Sequence, residues 1–313
     1  MRRGYNESQI AKAARKRTSV SAALIFIAIP LVIVLGATLM NDRNYILVSL
    51  IVLALTMLPF FMVFERRKPK AREIVLIAVM CAIAVCAQLI CGVTIPLRAG
   101  TAIIIVCGIA LGPEAGFLIG ALGRFVFNFY AGQGPWSPWQ MFCWGLLGFL
   151  AGLAFNRANL EKKKSRNFRA VMGPVMCVIF TIVAAYLSYL LFPPSDGATF
   201  LGWRLYVFGA VGLLLGVIVQ RKRLPVDDFT LSLFTFFTTF ILYGGLMNIF
   251  TMISAASIPG NPEVSWDALK MYYISGVSYD FGHAITAAIF NFIFGEKLIG
   301  KLERIKLKYG IYR

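Results

Sequence analysis

A chain of 313 residues that is 59% hydrophobic and only 14% charged, with mean hydropathy +0.75, is too apolar for a water-soluble domain and makes the bilayer its solvent. The formal charge of +17 would suit nucleic acid, but 26 of the 31 Lys and Arg sit in five clusters between apolar runs, the pattern that orients membrane helices. Nucleic acid is therefore an unnecessary partner.

The expected fold class is all-α, a polytopic membrane helix bundle of about ten transmembrane segments. Residues 1–18 form a basic tail. Segments at about Ser19–Met40 and Tyr45–Phe64, joined by the turn 41–44, form an N-terminal transmembrane hairpin over residues 19–64. The first run lacks a small-residue cleavage site and is expected to be retained rather than removed as a signal peptide. After the basic linker Glu65–Arg72 come Glu73–Cys91, a short segment Gly100–Leu111, Ala115–Ala131 and about Pro138–Phe155, separated by Pro and Gly breaks. The charged stretch Asn156–Arg169 follows. A second hairpin, Val171–Phe192 and Trp203–Gln220, is inserted at about 170–220. The last two segments are Phe229 to about Ser257 and about Tyr272–Phe294, with the loop Ile258–Lys270 between them. With ten alternating segments and a cytoplasmic N-terminus, every basic cluster falls on the cytoplasmic side, and the outer face keeps only Arg43, Arg98, Arg204 and Lys270. Both termini are thus expected to be cytoplasmic, in a bacterial plasma membrane.

The stretch Ala131–Gln140 is the most unusual in the chain. Gly and Pro impose a non-helical path, Trp136 and Trp139 can stack on a flat ligand, and Gln133 and Gln140 can donate and accept hydrogen bonds. An interfacial aromatic belt also accounts for the tryptophans, though less well for the glutamines. Inside the membrane the only charged side chains are Arg124 and Asp280, with the sole histidine, His283, one turn beyond Asp280. Intramembrane charge needs a partner, so Arg124 and Asp280 are expected either to pair structurally or to mark a functional pathway. With one His, no catalytic triad and no metal site can be assembled, and none of the six cysteines forms a C-x-x-C pair. No G-x-x-x-x-G-K-[ST] loop is present, so ATP hydrolysis, where used, belongs to a partner. Neither enzyme activity nor a catalytic residue nor a cofactor is expected. Small residues at four-residue spacing recur at Ala78/Ala82, Gly116/Gly120, Gly148/Gly152 and Gly212/Gly216, as close helix packing requires.

From Glu73 onward, omitting the 171–220 hairpin, the order of motifs resembles the substrate-binding S component of energy-coupling factor (ECF) vitamin transporters. The matching pieces are Ala78-x-x-x-Ala82, Leu111-Gly112-Pro113 with Gly116 and Gly120, the Gly132–Trp136 loop, Tyr243–Asn248 and Tyr279–Ala284. The resemblance implies a six-helix core, here residues 73–313 with a hairpin inserted at about 170–220 and a further hairpin, 19–64, before it. It implies a capture subunit for a small-molecule vitamin, working in the lipid bilayer with a membrane coupling subunit and two ATPase subunits. Ala78 and Ala82 would dock onto the coupling subunit. Ligand would be enclosed by the outer loops Gly92–Arg98 and Ala131–Trp139, with Thr94, Asn128, Gln133, Gly134, Trp136, Trp139, Gln140, Tyr243, Asn248, Asp280 and His283 as binding residues. By analogy with tryptophan-rich relatives, cobalamin or another corrinoid is the first expected cargo, with riboflavin, folate or a queuosine-type precursor open. A self-sufficient ion-coupled secondary transporter, using Arg124, Asp280 and His283 as a relay, is the competing reading.

Overall fold

The computed structural model describes residues 20–21, 23–39, 47–55, 58, 71–93, 98–155, 168–192, 204, 207–209, 211–212, 215–216, 224–256 and 260–311. The basic tail, most of the 203–220 segment and the loop residue Thr94 lie outside them.

The described chain is an all-α membrane bundle. Its helices are α1 (Ile29–Leu39, entered through a π-helical turn at Leu24–Ala28), α2 (Ala71–Val93), α3 (Ala99–Leu111), α4 (Pro113–Ala131), α5 (Trp136–Ala154) and α6 (Phe168–Leu191). These are followed by α7 (Asp228–Phe237), α8 (Gly245–Ala256), α9 (Trp266–Phe290) and α10 (Glu296–Tyr309). A π-helical stretch, Thr238–Gly244, joins α7 to α8, and another, Asn291–Gly295, joins α9 to α10. Residues 71–91 and 228–256 are each long and apolar enough to cross a membrane. The final helix departs from the expected pattern. It does not stop near Phe294 but runs on through the π turn into α10, whose Ile299 and Leu302 are buried against the core. The basic C-terminal helix is thus amphipathic, its apolar stripe packed and Lys297, Lys301 and Lys308 exposed, while Lys306 turns in to donate to Ala110 O at 2.6 Å.

Helix boundaries follow local chemistry. Asp227 caps α7 by accepting from the Thr230 backbone N–H at 2.9 Å, and Ser265 caps α9 through Ala268 N at 3.2 Å. Between α3 and α4 a single residue, Gly112, takes φ 105°, a conformation that side chains other than glycine rarely reach. Pro113 then supplies the first residue of α4, where its missing N–H costs nothing.

The core is the α3–α4–α5 unit, flanked by α2. Here the recurring glycines face one another: a Cβ on Gly116 would stand 2.5 Å from Gly108 Cα and 2.7 Å from Gly148 O, and one on Gly152 2.5 Å from Pro113 N. Helices in an apolar solvent gain nothing from the hydrophobic effect, so backbones this close supply van der Waals contact instead. Ala78 and Ala82, by contrast, sit on the exposed face of α2 beside Val75, Val79 and Ile83.

One backbone contact organises the topology. Leu224 N donates to Ala154 O at 2.8 Å, and Phe155 and Leu224 form an isolated parallel bridge. The end of α5 and Leu224 thus meet although they are far apart in sequence.

Candidate functional site

At the end of the α3–α4–α5 unit away from the glycine seam lies a cavity of about 270 Å³. Its walls come from α2 (Gln88, Leu89), the start of α3 (Arg98–Thr101), the last turns of α4 (Arg124, Phe127, Tyr130) and the first turns of α5 (Gln140, Trp144). The π-helical stretch adds Tyr243, and α9 adds Tyr279 and His283.

Two hydrogen-bonded groups build these walls. Thr101 accepts from Trp144 Nε1 at 2.9 Å and shares a 2.9 Å hydrogen bond with His283 Nε2. Tyr243 closes this group edge-on, with ring centroids 4.5 Å from Trp144 and 4.6 Å from His283. His283 is 3% exposed and its Nδ1 has no hydrogen-bond partner. The π-helical geometry around Tyr243 inserts an extra residue into the turn, a feature often found at functional sites.

Arg124 anchors the second group. Its Nε donates to Gln140 Oε1 at 2.9 Å and its NH1 to Gln88 Oε1 at 3.2 Å, while the guanidinium lies 4.4 Å from the Trp144 ring centroid and 4.6 Å from that of Phe127. Neutral acceptors and ring faces therefore hold this cation in place of a carboxylate. At the mouth, Arg98 lies 5.5 Å over the Tyr279 ring and donates to its hydroxyl at 3.4 Å.

The expected Arg124–Asp280 pair is not formed. Asp280 instead accepts from Asn248 Nδ2 at 2.8 Å, packed against Gly244 and outside the cavity wall, whereas Arg124 is turned toward α2 and α5. Two glutamine oxygens accept from the guanidinium and two ring faces flank it, while one amide donates to the carboxylate, so each charge is held by neutral groups and not by the other.

Of the residues singled out from sequence, Gln140, Tyr243 and His283 meet at the cavity. Much of the Ala131–Gln140 stretch is a corner held by its own hydrogen bonds, although Gln133 Oε1 is buried without a partner among the described residues. Gly134 N donates to Ser137 Oγ at 3.1 Å, Ser137 N to Gly134 O at 2.9 Å, and Gln133 Nε2 to Phe125 O at 3.1 Å. Asn128, buried beneath, donates to Ser137 and Gln140, both at 3.1 Å. Trp139 is 7% exposed and packs on Phe250, and Trp136, 39% exposed, donates to Gly132 O at 3.4 Å. Asn248 and Asp280 form their own pair behind Tyr243. Gln88, Arg98, Thr101, Phe127, Tyr130, Trp144 and Tyr279 line the cavity without having been proposed from sequence as binding residues. Trp144 lies at i+4 from Gln140, a spacing that places both on one helix face.

Residues 68–200 match the family model described as ECF-type riboflavin transporter, S component. Over these residues the chain is similar to an S component of the ECF type. No solved structure matches the chain. The matched region contains α2 to α6 and holds eleven of the fourteen cavity-lining residues.

Proposed function

We propose that the cavity is the cargo pocket of this S component and that the cargo is a flat heteroaromatic vitamin of flavin or pterin size. The carrying observation is the lining: Phe127, Tyr130, Trp144, Tyr243 and Tyr279 offer ring faces, and Gln88, Gln140, Thr101 and His283 offer hydrogen bonds among them. A volume of about 270 Å³ lies at the small end of ligand pockets, which run from roughly 300 Å³ upward. That scale speaks for riboflavin or a folate-type pterin over cobalamin, whose macrocycle and appended amides are several times larger. The printed name of the matching family, a riboflavin transporter component, points the same way. The test is titration of the full-length chain in detergent with riboflavin, folate, a queuosine-type precursor and cobalamin, followed by tryptophan fluorescence. Riboflavin or folate is expected to bind tightly without nucleotide or ion. Tight cobalamin binding with neither of the others overturns the size argument.

An S component works with an ECF module, and the exposed Ala78/Ala82 face supports docking of the membrane coupling subunit there, with two ATPases behind it. The five basic clusters support cytoplasmic termini in a bacterial plasma membrane. The meeting of residues 155 and 224 supports a core of 73–155 and 224–313 with an inserted hairpin, beside the N-terminal hairpin of 19–64. The ion-coupled alternative is weakened by geometry: Arg124 and His283 face the cavity, Asp280 is tied to Asn248, and the three make no continuous relay.

A further inference from the structure

We infer that the cargo carries an anionic group, a phosphate or carboxylate, received by Arg124 with Arg98 beside it. This rests on the cargo-pocket reading and adds a charge to it. Two arginines line the cavity, and no Asp or Glu does among the described residues. A guanidinium has five N–H donors. Those of Arg124 make two side-chain hydrogen bonds, both to neutral amide oxygens, which orient the fork but leave its charge uncompensated. An intramembrane cation without a counter-charge is costly, and a ligand anion would supply that charge in the geometry guanidinium groups bind best. Among the described residues Arg98 is tied to the Tyr279 ring and hydroxyl, also neutral.

Two further features border the cavity. The N-terminus of α3, a helix of 13 residues, opens on it through Ala99, Gly100 and Thr101 and adds its partial positive charge. Gln88 Nε2 and His283 Nδ1, on two of the lining residues, have no hydrogen-bond partner among the described residues; both are closed to a water-sized probe, so a ligand reaches them only after a side-chain rotation.

The experiment compares matched ligands that differ in charge: riboflavin with riboflavin 5′-phosphate, and the dimethyl ester of folate with folate, each titrated into the full-length chain in detergent. The anionic member of one pair is expected to bind roughly ten- to hundredfold more tightly, the range of a charge-assisted hydrogen bond, and the pair that shows it tells phosphate from carboxylate. In Arg124→Gln the gap should shrink to within about threefold, with Arg124→Lys intermediate because a point charge loses the fork. Should Arg124→Gln not fold, Arg98→Gln and the wild-type ratio still decide the matter. Neutral members binding as well as their anionic partners in both pairs overturns the inference and leaves vitamin capture standing. A gap that persists in a folded Arg124→Gln and in Arg98→Gln overturns the assignment to these arginines. No binding by any member overturns the flat-vitamin reading, and the anionic group falls with it.

Discussion

The two ends of the α3–α4–α5 unit are built from the same three helices to opposite effect. At one end Gly108, Gly116, Gly148 and Gly152 bring backbones together with no space for a methyl group. At the other, the same helices carry Thr101, Arg124 and Phe127, Gln140 and Trp144, and a cavity opens between them. Residue size along three helices thus divides the unit into a clamp and a pocket, and the clamp fixes the geometry the pocket needs.

The largest effect is expected where the clamp is broken. Gly148→Leu forces a side chain into the Gly116 backbone and should cost about 3 kcal/mol, the upper part of the usual overpacking range, seen as a lost or strongly lowered thermal transition in detergent. A variant of wild-type stability means that the seam can open and that the two ends are not distinct. At the pocket, Thr101→Val leaves Trp144 Nε1 and His283 Nε2 without their shared partner and should cost roughly 1–3 kcal/mol while weakening cargo binding. Thermal melts together with a titration check both, and intact binding would detach this triad from the site. Trp136→Ala removes a half-exposed ring whose contacts lie within its own corner. Cargo affinity should change by less than about threefold, well under 1 kcal/mol. A tenfold loss would show that this corner closes over the cavity when cargo binds. The smallest effect on the isolated chain is expected for Ala78→Leu, on an exposed face, with stability and cargo binding unchanged within about 0.5 kcal/mol. Co-purification with the coupling subunit should be lost, and retention would move the docking face elsewhere.

The helices were legible because a membrane solvent writes them plainly: long apolar runs ended by Pro, Gly or charge. The bounds of α2, α4, α5 and α6 lie within two or three residues of those expected. The C-terminal continuation escaped because its basic residues suggested a tail, while the apolar positions Leu298, Ile299 and Leu302, which hold it on the core, are sparse among them. In the site, the chemistry most visible in sequence proved the least exposed to the cavity. The Gly, Pro and Trp of the 131–140 stretch are conspicuous because they make a corner, and corners consume their own polar groups. Gln88 and Trp144 drew no notice, since single polar or aromatic residues inside apolar helices are unremarkable until their neighbours are known.

Composition and local spacing were enough for the solvent, the helical class, the basic clustering and the likeness of residues 68–200 to an S component. Only the tertiary structure decided that Arg124 meets two glutamines and two rings rather than Asp280. It also decided that Asn248 holds Asp280 apart and that the glycines of three helices converge on one seam. Each of those outcomes depends on which helix faces which, and that is set by packing among segments distant in sequence, where local pattern carries no information.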